Sequence, residues 1–462
     1  MTHQPFTGTL AEALAQATER YIAANPESKS IFERASQHLP GGNTRTTLFS
    51  APFPLCIPIA SGTKVRSLDG VIYTDFVGEY TAGIYGHSHP SILSALEESL
   101  GNGLNFGATS PLEGELAARL KKRFQKAGLE MLRFVNSGTE ANLMAIATAR
   151  NWTGKEKILV FEGGYHGSVL TFGKKGTRNP MQTPGDFVVA KYSSKDDVEG
   201  MAESGELEDL AAILIEPMQG AGGCLHADVE FLKYLRELAT KKGALLVHDE
   251  VMTSRLWYEG GLSGKYGVVP DLVTMGKYLG GGMSFGMFGG RREIMEMFNP
   301  AGGATVTAEN GSMREIKLGH SGTFNNNVMT MNAGIAGNKI LTKGVLEQLN
   351  ELGDYLRTSL TTLLAENNML DNFDLSTYDK DAVSQLHKGK VWNSGLGSMN
   401  HIHFGANDDL TELQDLFYFH MVENAIYPTR RGSIFITIQH TKEDIDKYVD
   451  AVRSFIELYG FL

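Results

Sequence analysis

Between about residue 110 and residue 290 the chain keeps one rhythm, short apolar runs alternating with helical segments. The runs are LRFV, KILVF, FVVA, AAILI, ALLVHD and LVTM. Strands separated by helices predict a parallel sheet wrapped by those helices. The expected fold class is therefore α/β, a mostly parallel central sheet with helices around it and a smaller α+β domain. A chain of 462 residues is too long for one simple domain, and two or three lobes are expected. The chain is expected to divide into 1–75, an N-terminal helix and a segment joining the small domain; 76–330, a large domain; and 331–462, a C-terminal small domain.

Local patterns fill in this outline. Residues 9–24 have helical apolar spacing and open on a capping threonine. Residues 39–55 read as coil, and 64–77 as a hairpin around Asp69-Gly70. Residues 301–319 look like a polar, partly flexible insertion. Helices dominate from 328, and the tail adds HIHF and SIFITI as strands. The net charge of −11 comes with no clustered basic run, which excludes a nucleic-acid-binding face. Two distant cysteines, Cys56 and Cys224, argue against a disulfide framework and for a reducing compartment. No segment has the form of a signal peptide or reaches the roughly 20 apolar residues of a membrane span. A cytoplasmic protein is expected.

Six stretches can carry chemistry. In FVNSGTEAN, Ser137, Gly138 and Thr139 stand between a strand and a helix. Backbone N–H groups at such a junction can hold an anion, although an ordinary N-cap reads the same way. In FEGGYHG, two glycines precede Tyr165, which can stack on a planar ring or simply pack in a turn. Glu216 ends the AAILI strand, where α/β proteins bind ligands, or is a plain loop carboxylate. Asp249 ends ALLVHD; a carboxylate so placed is costly to desolvate without a cationic partner, and a protonated ring nitrogen would be one. Asp249 also reads as a helix cap, and His248 beside it reads as packing. Lys277 follows LVTM and precedes a glycine-rich run. On a strand end next to that of Asp249, partial desolvation would lower its pKa and make it an amine nucleophile; alone it would pass for a loop lysine. Ser321, Gly322 and Thr323 form a second small-hydroxyl turn before a helix. An anion cup, a stacking aromatic, a carboxylate for a pyridinium and a Schiff-base lysine are together the parts of a pyridoxal 5'-phosphate (PLP) site.

NSGTEAN, GGYHG, EPMQG, DEVMTSR, GKYLGGG and HSGTFNNN resemble the class III aminotransferases of PLP fold type I, over about residues 36–460. The resemblance implies that Ser137, Gly138 and Thr139 bind the cofactor phosphate and that Tyr165 lies against the ring. Asp249 would pair with the ring nitrogen, Val251 and Met252 would pack below it, and Glu216 joins the cofactor-binding set. Lys277 would carry the cofactor as a Schiff base. Thr323 would reach the phosphate of a neighbouring subunit's cofactor, which implies a homodimer with shared sites. Within the family, LPGG near 40 and the tail ITIQHTKEDIDKYVDAVRSFI resemble glutamate-1-semialdehyde aminomutase. GGNTRTTLFSAPFPL, EYTAGIYGHSHP and GKYLGGGMSFGMFGG are more similar to the aromatic β-amino acid (β-phenylalanine) aminotransferases. In that group Arg45 would hold a substrate carboxylate and Arg431 would help with a dicarboxylate acceptor. The implied reaction is a ping-pong transfer of an amino group to 2-oxoglutarate or pyruvate. The alternatives are the aminomutase, a broad-specificity amine transaminase, or a silent binding protein on the same fold.

Overall fold

The computed structural model describes residues 5–177, 179–307, 311–379 and 386–459. The chain divides into two compact units: one runs to His89 and resumes at Leu349, the other is Pro90–Gln348.

Pro90–Gln348 is built on a seven-stranded sheet. All six apolar runs are strands: Met131–Val135, Lys157–Phe161, Phe187–Ala190, Leu210–Ile215, Leu245–Asp249 and Leu272–Gly276. The seventh, Gly286–Gly290, lies antiparallel between Met131–Val135 and Leu272–Gly276. The other six are mutually parallel, so their C-terminal ends share one edge. Alternate residues of Lys157–Phe161, Phe187–Ala190 and Leu245–Asp249 feed two cores, and Leu210–Ile215 also contributes to both. Ala212, Leu214 and Val247 meet Ala141, Ala145 and Ala149 of the helix Gly138–Thr153 on one face. Ile213 and Leu246 meet Phe231, Leu232 and Leu235 of the helix Val229–Lys242 on the other.

The glycine-rich strand has a steric cause. A Cβ on Gly286 would lie 2.1 Å from the Ser137 carbonyl oxygen, and one on Gly290 2.0 Å from that of Asp271. Glycine is depleted in strands in general, so this one is invisible to propensity. Gly286→Ala should cost about 1–3 kcal/mol by overpacking. The expected result is a lower midpoint in thermal unfolding; an unchanged midpoint would mean that the neighbouring backbone yields freely.

The 301–319 segment, expected to be a polar, partly flexible insertion, has regular structure among its described residues. It forms a hairpin, Ala304–Thr307 paired with Met313–Ile316, with residues 308–310 of its turn outside the described residues. Ala304 and Ile316 are buried in the large core, with Val306 and Leu318 packed against it, which anchors the hairpin.

The other unit opens on the helix Leu10–Ala24, capped reciprocally by Thr9 and Glu12. The expected hairpin is present as Lys64–Arg66 and Ile72–Asp75, joined in parallel by Ile426–Tyr427. A second sheet runs antiparallel through Val391–Leu396, Met399–Phe404 and Ser433–Phe435. SIFITI is thus a strand only in its first half. Tyr21, Phe53 and Phe419 cluster where Leu10–Ala24 packs on Thr411–Glu423. Cys56 and Cys224 are both free thiols. No described helix is long and apolar enough to cross a membrane.

Candidate active site

Five of the sequence-predicted segments leave the same edge of the seven-stranded sheet. Val135 leads to Ser137–Thr139, Phe161 to Tyr165, Ile215 to Glu216, Asp249 ends its own strand, and Gly276 leads to Lys277. Asp249 and Lys277 leave adjacent parallel strands, with Asp249 in register with Thr274.

Asp249 is buried at 4% exposure and bonded through both carboxylate oxygens. Its Oδ2 lies 2.8 Å from His166 Nδ1 and accepts from Asn142 Nδ2 at 2.7 Å. Its Oδ1 accepts from the Val251 N–H at 3.0 Å. Asn142 is fixed in turn by the Thr274 hydroxyl, which donates to its Oδ1 at 2.7 Å. Burial pulls the His166 pKa down, but the bond to Asp249 and the charges of Asp249 and Glu216 outweigh it and the net shift is upward. Glu216 accepts from the Tyr165 N–H at 3.1 Å and the Gly220 N–H at 3.0 Å. Burial, reinforced by the charge of Asp249 and opposed by that of His166, pushes it up to about 7. Neither His166 nor Asn142 stands out from sequence alone. Asn142 has a usable signal, an amide four residues after Gly138 among small and apolar helix residues.

The glycines make the enclosure. A Cβ on Gly138 would meet both methyls of Val251 at 2.9 Å, and one on Gly276 would meet Val251 Cγ1 at 3.5 Å and the Gly138 nitrogen at 3.6 Å. The base of Lys277, the start of the helix Gly138–Thr153 and Val251 are therefore neighbours. A Cβ on Gly220 would meet Met252 Sδ at 2.3 Å, and one on Gly167 the Thr139 hydroxyl at 2.3 Å. Ser137 caps the helix by accepting from the Glu140 N–H at 3.2 Å. The first N–H groups of that helix have no intrahelical acceptor and carry the positive end of its dipole. Tyr165 is an exposed residue, at 41%. Lys277 adopts left-handed backbone geometry, φ 55, a conformation costly for a residue with a side chain and common at functional sites.

His248 is structural, as expected: its Nδ1 lies 2.8 Å from Ser263 Oγ, and burial lowers its pKa to about 3. Glu250 is buried beneath the edge and accepts from Thr253 and Ser263. The turn at Ser321–Thr323 does not cap a helix. The next helix starts at Val328 and is capped by Asn327. Thr323 is exposed, and its loop is tied to the sheet edge by Asn136 Nδ2 donating to Asn325 Oδ1 at 3.0 Å. No hydrogen bond joins Thr323 to residues 137–139 among the described residues.

In the other unit, Arg45 pairs with Glu79 and stacks over Tyr80, 5.5 Å from its ring centroid. Gly78, Glu79, Tyr80 and Thr81 are four successive left-handed residues, with φ of 48, 48, 50 and 78. Burial raises the Tyr80 pKa, while the charges of Arg45 and Arg431 pull it back. Arg430 is held on Asp415, Nε to Oδ1 at 2.7 Å. Arg431 is exposed.

A buried carboxylate, a helix N-terminus walled by glycines, an exposed aromatic and a lysine on one strand edge fit the donor set of PLP. The aminotransferase class-III family model matches residues 49–373. The beta-phenylalanine transaminase of Variovorax paradoxus is 43% identical over 472 aligned residues, 100% of this chain and 99% of that protein. The crystal structure of the beta-phenylalanine aminotransferase from that organism has a TM-score of 0.88 at 42% identity, covering 98% of this chain and 99% of that chain. A transaminase solved with PLP bound has a TM-score of 0.79 at 30% identity, covering 94% and 97%. The glutamate-1-semialdehyde 2,1-aminomutase of Acetivibrio thermocellus is 34% identical, over 93% of this chain and 97% of that protein. The chain belongs to the class III aminotransferases and is a PLP-dependent enzyme of fold type I.

Proposed function

We propose that the enzyme moves the amino group of an aromatic β-amino acid to a keto acid, 2-oxoglutarate or pyruvate. The observation that carries this reading is Arg45, stacked over Tyr80 and paired with an exposed carboxylate. An arginine fork matches a carboxylate, and Arg45 already holds one, that of Glu79. Arg430 is half-buried on Asp415, whereas the Arg45–Glu79 pair and Arg431 are exposed, which supports Arg431 as the second carboxylate receptor. The full-length similarity to a beta-phenylalanine transaminase supports the aromatic β-amino acid.

When bound, PLP supplies an electron sink for the pair left when a C–H bond beside the substrate nitrogen breaks. The chain's own groups divide the remaining work. The N–H groups at Gly138 and Thr139, with Ser137, would hold the phosphate. Tyr165 would cover one face of the ring and Val251 and Met252 the other. Glu216 would fix the Tyr165 loop through its two N–H bonds. Asp249 would keep a proton on the ring nitrogen. Lys277 Nζ would anchor the aldehyde carbon and afterwards take the proton from the substrate carbon. Thr323 would serve the phosphate of a second copy, which makes the working unit a homodimer.

Purified enzyme given β-phenylalanine and 2-oxoglutarate should yield glutamate, and omission of the acceptor should stop turnover. Turnover of glutamate-1-semialdehyde with no acceptor would make the chain an aminomutase instead. Arg45→Ala should lower kcat/KM for the β-amino acid by about 10- to 100-fold, the worth of one charge-assisted hydrogen bond. Aromatic amines without a carboxylate should change far less. Equal losses on both would remove Arg45 from carboxylate recognition.

A further inference from the structure

One face of the antiparallel sheet in the unit containing the C-terminal segment gathers two histidines and two serines among apolar residues. His401 and His403 lie two apart on Met399–Phe404 and point to the same side. In register, His401 faces Ser394 and Ser433, and His403 faces Trp392. Both histidines are buried, at 5% and 1% exposure, so their ring nitrogens need partners. Each ring uses one nitrogen on a serine: His401 Nδ1 is 3.0 Å from Ser433 Oγ, and His403 Nε2 is 2.8 Å from Ser394 Oγ. His403 Nδ1 lies 2.9 and 3.1 Å from the two carboxylate oxygens of Asp408. One donor atom from each of His401, His403 and Asp408 falls within 4.8 Å of the others.

Asp408 has a left-handed backbone, φ 55, a cost accepted where the position of a side chain matters. Trp392 stacks flat on His403, 3.7 Å between centroids at 8°, which fixes the plane of that ring. Ser394, His403 and Asp408 also stand in the order of a hydrolytic triad. Ser394 is only 4% exposed inside the sheet, so no substrate reaches its hydroxyl, and that reading fails. A hydrogen-bond partner on the far nitrogen fixes the orientation of a ligating histidine, and each ring here has a serine in that position.

We propose that His401, His403 and Asp408 bind one divalent transition-metal ion of the zinc type, with water completing the coordination on the exposed side of Asp408. Two imidazoles and a carboxylate are a zinc donor set. With Ser433 on His401 Nδ1 and Ser394 on His403 Nε2, the nitrogen left on each ring is the one that ligates. Tetrahedral zinc needs donors about 3.3 Å apart. Asp408, with a side chain 44% exposed, is the member able to close that distance. The ion would tie the 405–410 turn to the sheet and takes no part in amino transfer.

The test is a zinc titration of chelator-stripped, desalted holoenzyme, read by equilibrium dialysis with elemental analysis and by thermal unfolding. The wild type should bind one zinc per chain and unfold at a higher temperature with zinc. Asp408→Asn and His401→Gln should each weaken binding at least tenfold and lose the thermal shift. Asp408→Asn changes an exposed turn; if His401→Gln does not fold, Asp408→Asn decides alone. A wild type without stoichiometric zinc, or an Asp408→Asn variant that binds as tightly, overturns the proposal.

Discussion

Lys277→Ala should lose amino transfer and the visible absorbance of the bound cofactor together, with the half-reaction slowed by about a thousandfold or more. The size follows from asking one amine to do two tasks. A nucleophile and a proton carrier vanish in the same substitution, and no other member of the candidate site carries an amine. The surroundings hold its base in place. A Cβ on Gly280 would strike Phe285 Cβ at 2.3 Å, and one on Gly281 the Ala333 carbonyl oxygen at 2.3 Å, so the loop after Lys277 is packed tightly against its neighbours. A lysine on such a rigid base is pre-placed, and pre-placement is what an approaching substrate needs. Lys277→Arg should fail nearly as badly, because it restores the charge but not a neutral amine. Added small primary amines should restore part of the Lys277→Ala half-reaction without restoring the yellow resting form. A Lys277→Ala enzyme that stays yellow and turns over within tenfold of wild type would place the chemistry elsewhere.

The central sheet is legible because its strands are apolar, short and separated by helices, a pattern that local periodicity carries in full. Gly286–Gly290 is not, since its glycines answer to the Ser137 and Asp271 carbonyls across the sheet rather than to any local preference. The strand-end placement of Asp249 and Lys277 follows from the same pattern, because a parallel sheet aligns all the C-terminal ends. The partners of Asp249 do not follow from it. His166 lies 83 positions away and Asn142 107, and only the sheet order brings them together. Arg430 and Arg431 have identical standing as neighbours in the chain; only the fold shows that Arg430 is bonded to Asp415 and that Arg431 is exposed. The hairpin at 304–316 reads as a flexible insertion because its polar residues outnumber the few, Ala304 and Ile316 among them, that anchor it.

Asp249→Asn should slow the half-reaction by about 10²- to 10⁴-fold while leaving the chain folded and able to bind PLP. The substitution keeps the shape and removes the negative charge. An amide cannot hold a proton on a ring nitrogen as a carboxylate does, so the electron sink weakens at the moment it is needed. Its neighbours respond as well. His166 takes its upward pKa shift from the bond and charge of Asp249 against the pull of burial. Once that charge is gone only burial and the weaker influence of Glu216 remain, and the His166 pKa falls. Glu216 loses the repulsion of Asp249, one of the causes that raise it. If His166 also goes neutral, Glu216 loses an opposing attraction, so its own shift is small beside that of His166. The histidine signal in NMR should therefore titrate at lower pH in Asp249→Asn than in wild type. The same variant should change the absorbance of the cofactor bands, because the ring nitrogen is no longer held protonated. His166→Gln should give a smaller loss, since it leaves the Asp249 charge in place and disturbs only its orientation. Equal losses in the two variants would show that Asp249 acts through its geometry alone, and the assignment of its charge to the ring nitrogen would fall.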